Sequence, residues 1–599
     1  MGFHIHIGDD TGLRPYDSTL FRRLLAYLKP YWGRVVLSCI AMFGASVAQL
    51  AGPYLIKVAL DTHIANRDVN GLVRIATIYV AIQAGNWFCS YWQTYLMTWV
   101  GQRAIYQIRQ ELFSHLQELS FRFYDSRPAG VIMSRVTNDV NAMEELISEG
   151  FVHVINDVVT LVGIVVVMLV MDARLALVAF VTMPLLVWAA TSFRGKVRIA
   201  YDAVRMKIAQ VYANLQESIS GVKVTQSFVR ETENARRFDR INRENYDANM
   251  KAVWLFSVFA PFVELVGAAG GALVLWYGGN GILQGRITVG VLVAFSSYLS
   301  RFFQPIQDLS HVYNMLQSTM AACEKIFGIM DEVPEIKDRP TAGDLGPIKG
   351  LIEYKSITFG YNPQVPVLQE INFTAEPGRR IALVGATGAG KSSIANLLGR
   401  FYDPQEGAVL VDGQDIRDVT VKSLRDQMGI VLQDTFLFSG TVGDNIRYGR
   451  PGATDEQMIA AAKNVGAHDF ILKMEQGYDT PVHERGARLS IGQRQLIAFA
   501  RALLRDPRIL ILDEATSSVD AYTELIIQRA LEKLLSGRTS IIIAHRLSTI
   551  RSADEILVMD LGRIVERGKH SELLVKHGVY SKLYEMQFKY QDVAASAGL

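Results

Sequence analysis

The sequence predicts a chain of two unlike parts, an α-helical membrane domain of six transmembrane helices with long cytoplasmic extensions, fused to an α/β domain built on a P-loop. Three observations carry this. Long apolar runs crowd the first half of the 599 residues, whereas the second half reads as an ordinary water-facing domain. Beyond about residue 350 the pattern changes from helical runs to short apolar strands separated by turns. Finally, Gly385-Ala386-Thr387-Gly388-Ala389-Gly390-Lys391-Ser392 matches G-x-x-x-x-G-K-[ST] directly after the strand-like run Ile381 to Val384.

Length and composition set the bounds. A chain of 599 residues is too long for one core. Its net charge of +2 implies no acidic or basic partner, so no nucleic acid is expected. The three cysteines, Cys39, Cys89 and Cys323, are far apart and suit neither a metal nor a disulfide framework. Residues 1–17 form a polar tail lacking the apolar core of a signal peptide, so insertion rests on internal helices.

The membrane domain is expected over 18–330. Leu20 to Lys29 repeats apolar residues at helical spacing with basic residues between, which predicts an amphipathic helix on the cytoplasmic face. Six segments follow, near 34–60, 72–99, 150–171, 174–194, 252–278 and 288–309, each close to the ~20 apolar residues that span a bilayer. Only Asp172 and Ala173 separate the third from the fourth, so that turn must be tight. Lys and Arg crowd 195–251, including Arg205, Lys207, Lys223, Arg230 and Arg243, while the other side has Arg67, Arg74, Arg174 and Arg286. That asymmetry puts the N-terminus and the loops 100–149 and 195–251 in the cytoplasm. Ile105, Ile108, Leu112, Leu116 and Leu119 carry helical periodicity out of the membrane, and each loop is interrupted once, near Phe123 to Gly130 and near Ser218 to Lys223. Two long helices with a short tip make a lever, although solvated hairpins would have the same pattern. Within the spans, Gln49, Asn156, Asp157 and Glu264 are costly in lipid, which favours an aqueous cavity or interhelical bonds for them. The second span also carries Trp87, Phe88, Tyr91, Trp92, Tyr95 and Trp99 on more than one face.

Pro334, Pro340 and Pro347 with glycines and charges mark 331–350 as a linker, ahead of a nucleotide-binding domain over 351–590 and a tail over 591–599. In the P-loop, glycine backbone N–H groups close on phosphate oxygens, and the helix from Ser393 onward points its positive end at them. Lys391 reaches the terminal phosphates and the Ser392 hydroxyl is placed for Mg²⁺. Tyr361, about two dozen residues upstream, is placed to stack on adenine. The run Ile509 to Leu512 ends in Asp513 and Glu514. At the end of a buried strand beside the P-loop, Asp513 holds the Mg²⁺ shell and Glu514 orients the attacking water. Gln433 and His545 each follow another strand-like run, His545 within reach of the γ-phosphate. Ser490 opens a second phosphate-facing helix end, which suggests two copies meeting head to tail.

With these motifs in order, the chain from about residue 15 to 585 resembles an ABC exporter half-transporter of the multidrug and lipid-exporter type. The resemblance implies that Tyr361 is the A-loop aromatic, Gly385 to Ser392 the Walker A, Gln433 the Q-loop, Glu484-Arg485-Gly486 the X-loop and Leu489 to Gln493 the signature, including Ser490, Gly492 and Gln493. Asp513 and Glu514 would be the Walker B pair, Ser518 to Asp520 the D-loop, His545 the switch histidine, and the two loop tips the coupling helices. It further implies ATP and Mg²⁺ as ligands, ATP hydrolysis coupled to export of an amphipathic or lipid-like substrate, a second half-transporter as partner, and a bacterial inner (plasma) membrane location. One position departs from LSGGQ: Ile491 replaces the first glycine. That fits the catalytic-site subunit of a heterodimer as well as a homodimer, the latter slightly favoured. An ATP-gated channel or regulator on the same fold is the alternative in a different class. An importer or peptidase-bearing transporter fits the domain order less well. Nothing in the sequence singles out the cargo among drugs, lipids and peptides.

Overall fold

The computed structural model describes residues 17–302, 304–483, 486, 488–513, 521–544 and 546–587. The chain divides into two compact units, Met1–Leu116 with Gly130–Asp331, and Gln117–Ala129 with Glu332–Leu599.

Among the described residues the first unit is helical. Asp17 caps the helix Ser18–Ala26, its carboxylate accepting from the Thr19 N–H at 2.8 Å. Leu24 is fully buried, and Arg23 on the same helix pairs with Asp331 at 2.6 Å while lying over the Phe327 ring. Among the described residues, Lys29–Ile64, Val69–Glu118, Ala129–Met171 and Glu231–Leu283 are long and apolar enough to cross a membrane. Ala173–Leu185 and Val289–Phe302 are apolar but shorter. The region read as a fourth span is two helices, Ala173–Phe180 and Met183–Ser220, because Pro184 in the opening turn of the second starts a new helix. The tight turn at Asp172 works through its side chain, which accepts from the Leu175 N–H at 2.9 Å.

Pro53 lies inside the helix Trp32–Val58 and cannot donate to the Gln49 carbonyl one turn back. Arg301 supplies the missing donor to that carbonyl at 2.7 Å, and the Tyr298 hydroxyl donates to Leu50 O at 2.5 Å. Of the polar residues singled out above, Asn156 accepts from the Ser46 hydroxyl at 3.0 Å, and Glu264 lies on the exposed side of its helix in the single chain. The second-span aromatics are largely exposed there too, and Trp87, Tyr91 and Tyr95 stack at successive turns.

Both loops differ from the single interruption expected. Each holds one short helix with a break on either side: Phe121–Asp125 and Val222–Ser227. Ser120 is extended and Pro128 blocks continuation in the first, whereas Gly221 and Val229, the latter at φ +51°, bracket the second. The first short helix belongs to the second unit. There Phe121 packs on Phe401 with ring centroids 4.7 Å apart, Arg122 pairs with Glu335 at 3.2 Å, and the Ser120 hydroxyl accepts from the Ile336 N–H.

The second unit is built on a six-stranded sheet in the order Arg563–Gly568, Glu555–Asp560, Arg380–Gly385, Thr539–Ile543, Ile509–Asp513, Met428–Val431. All neighbours are parallel except the first pair. The central strands are buried on both faces, which is why they read as unbroken apolar runs rather than alternations. Alternate residues nonetheless serve different cores. Ala382, Val384, Leu510, Leu512 and Ile542 pack on one side of the sheet, and Ile381, Leu383, Ile509, Ile511 and Ile541 on the other. A four-stranded sheet begins with Ile352–Phe359 and packs into the second of these cores.

The proline-rich stretch 332–350 is a strap held against this unit. Arg400, only 1% exposed, donates to the Lys337 carbonyl and pairs with Asp338, while Leu345 and Ile348 are buried and donate to Ser423 and Gln427 side chains. Its extended backbone leaves N–H groups free for such bonds, which linker composition alone does not reveal.

Candidate functional site

The P-loop leaves the C-terminal end of Arg380–Gly385 in the middle of the sheet. Its turn depends on glycine. Gly388 and Gly390 have φ of +86° and +97°, and a Cβ on Gly385 would stand 2.2 Å from the Met559 carbonyl oxygen. Ala386, Thr387 and Gly388 form the exposed rim of the loop, whereas Ala389 and Gly390 are buried at its base. The helix Lys391–Leu398 then starts at once, its N-terminal end at the same space.

Lys391 is 8% exposed and donates to the Gly385 and Ala386 carbonyls at 2.7 and 2.9 Å. Burial pushes its ammonium below the ordinary lysine range, and the Asp513 carboxylate partly offsets that. Asp513 ends Ile509–Asp513, which Thr539–Ile543 separates from the P-loop strand. The register still levels the ends, since Leu383 pairs with Ile543 and Ile543 with Asp513. Ser392 and Asp513 consequently line one small cavity, together with Asn396, Phe401 and Leu432. A hydroxyl and a carboxylate sharing a cavity are hard oxygen donors of the kind Mg²⁺ selects. Gln433 is exposed just past the strand Met428–Val431, next in sequence to Leu432 but not itself lining that cavity.

Tyr361 follows Ile352–Phe359 and is 41% exposed, leaving part of its ring open. Its hydroxyl lies 3.2 Å from the Ser393 hydroxyl and accepts from Asn396 at 3.2 Å, so the tyrosine is fastened to the P-loop helix. Tyr361→Ala is expected to raise the ATP concentration for half-maximal hydrolysis by about 5- to 100-fold with little change at saturation, the loss of one base stack. An ATP titration of hydrolysis checks this, and an unchanged requirement would remove adenine stacking.

Ser490 stands elsewhere on the unit, at the start of Ile491–Arg505, and does not line the P-loop cavity. Its hydroxyl accepts from the Gln493 N–H at 3.2 Å while the Gln493 side chain accepts from the Ser490 N–H at 3.0 Å. Gly492 is buried behind this cap, and Ile491 occupies an ordinary first helical position with its side chain 44% exposed. Glu514, Asp520 and His545 lie outside the described residues, as do Glu484 and Arg485.

Asn396 and Phe401 escaped the sequence reading. The available signal was Phe401-Tyr402 directly after the P-loop helix, a polar-flanked aromatic pair where a surface turn is expected.

Residues 35–306 match the model of the ABC transporter transmembrane region, and residues 368–517 that of the ABC transporter domain. An uncharacterized ABC transporter ATP-binding protein of Bacillus subtilis is 43% identical over 96% of each chain. An ATP-dependent lipid A-core flippase of Syntrophus aciditrophicus is 40% identical over 97% of this chain and 96% of its own. The solved structure of a bacterial Atm1-family ABC exporter with ATP bound superposes with a TM-score of 0.75 at 31% identity, covering 96% of this chain and 99% of that one. Helical membrane part, P-loop unit and near full-length similarity agree, and the chain belongs to the ABC transporter family, with the exporter fold in which a transmembrane domain is fused to a nucleotide-binding domain.

Proposed function

We propose that two copies of this chain form an ATP-driven exporter of an amphipathic or lipid-like substrate in a bacterial inner (plasma) membrane, with the nucleotide domains cytoplasmic. The observation that carries this reading is near full-length similarity, at 40% identity, to a protein named as a lipid A-core flippase. A putative multidrug export protein of Staphylococcus aureus, 38% identical over 95% of this chain, supports the same substrate class.

In this reading the N–H groups of Gly385 to Ser393 and the Lys391 ammonium bind the phosphates of ATP, and Tyr361 stacks on adenine. Ser392, Gln433 and Asp513 would hold Mg²⁺, which neutralises phosphate charge when bound. Glu514 takes the proton of the attacking water and His545 donates to the γ-phosphate. Ser490, Gly492 and Gln493 of the second copy close the site, with Asp520 at the seam. Favouring the homodimer is the intact cap at Ser490, which Ile491 leaves undisturbed. ATP moves the transporter only by binding more tightly to the closed pair than to the open one. The purified protein in proteoliposomes is expected to accumulate or flip a labelled lipid or amphiphile only with hydrolysable ATP, and intact-complex mass is expected to equal two chains. Passive, gradient-driven flux opened by ATP would identify a channel instead.

A further inference from the structure

The four residues after the P-loop helix touch more than that helix. Gly399 ends it, and Arg400 at φ +48° turns the chain through the left-handed region. A buried arginine in that conformation must be held by its surroundings. Its guanidinium donates to the Val419 carbonyl at 2.9 Å as well as to the strap at Lys337. Arg425 lies over the Phe401 ring at 4.7 Å and donates to the Gly399 and Arg400 carbonyls, fixing the turn from the other side.

From this rigid turn two neighbouring rings face both the nucleotide site and the loop tip. Phe401 lines the cavity of Ser392 and Asp513 and packs on Phe121. Tyr402, 2% exposed, sets its ring edge-on to Tyr361 with centroids 5.1 Å apart at 87°, and its hydroxyl donates to the Asp125 carboxylate. Phe359 closes the group, 5.1 Å from Tyr361 and 5.6 Å from Tyr402. A ring pressed on by adenine thus bears directly on a ring tied to the short helix Phe121–Asp125. That helix follows Val69–Glu118 after two residues.

We infer that Tyr402 is a positioning residue that transmits occupancy of the adenine platform Tyr361 to the first loop tip through its bond to Asp125. This rests on the reading of Tyr361 given above. Edge-to-face rings resist sliding, and the tyrosine hydroxyl fixes the far end of the contact, so the coupling is separable from binding. Tyr402→Phe keeps the ring against Tyr361 and deletes only the bond to Asp125. Asp125→Ala deletes it from the other side.

The test uses the full-length protein in lipid nanodiscs, with amide hydrogen exchange of residues 117–129 followed with and without AMP-PNP and Mg²⁺. The nucleotide is expected to slow exchange there in the unaltered protein. In Tyr402→Phe and in Asp125→Ala the slowing is expected to shrink by about threefold or more, with AMP-PNP affinity within about twofold of normal. The double variant is expected to lose no more than either single one, as two ends of one bond should. Full slowing in both variants would overturn the relay, as would a loss of affinity matching the loss of slowing. Tyr361→Ala separates the two ideas. Normal affinity in that variant sinks the adenine platform, whereas weakened affinity there with undiminished slowing in Tyr402→Phe sinks the relay alone.

Discussion

Lys391→Met is expected to lower ATP hydrolysis by about 100-fold or more, the usual cost of removing a fixed donor from a developing phosphate charge. Methionine keeps most of the buried stem, so the loss reports the charge rather than the packing. The ammonium already gives two of its three hydrogens to the Gly385 and Ala386 carbonyls, which curls the loop around it and, in the function proposed above, leaves the third for phosphate. Unpairing those carbonyls should also destabilise the loop by about 1–3 kcal/mol. Phosphate release and a thermal melt of the nucleotide-bound protein check both effects. Near-normal hydrolysis would mean that the lysine only braces the loop.

Glu514→Gln is expected to lower turnover by about 10²- to 10⁴-fold while ATP binding survives, because glutamine keeps the shape and hydrogen bonding but accepts no proton. The structural basis is the neighbour: Asp513 is delivered level with the end of the P-loop strand and into the Ser392 cavity, and Glu514 is the next residue. A filter-binding assay beside a turnover assay makes the comparison. Substantial turnover in this variant would assign the proton to another group.

Much of this site was legible in the chain. G-x-x-x-x-G-K-[ST] is recognisable because its requirements are local: positive φ at Gly388 and Gly390, close backbone approach at Gly385, and a helix starting at once. The cap at Ser490 is local as well, needing only a partner three residues on. The buried strands were readable from apolar runs, since a strand covered on both faces has no polar positions to spare. What the chain does not carry is which strands are neighbours. The run ending in Asp513 says nothing of strand order, and Thr539–Ile543, later in sequence, inserts between it and the P-loop strand. Likewise the stretch around Pro340 reads as a tether, and it is a strap because Arg400, about sixty residues away, finds its Lys337 carbonyl and Asp338 carboxylate.

By itself the sequence determined the two-part architecture and the glycine-rich P-loop, because hydropathy, backbone freedom and short-range hydrogen bonding act over a few residues. Only the tertiary structure decided which strand separates Asp513 from Lys391, where the strap lies, and that Tyr402 meets both Tyr361 and Asp125. Those contacts join residues from about 40 to nearly 280 positions apart, and their energy comes from burial and packing that exist once the chain has closed upon itself.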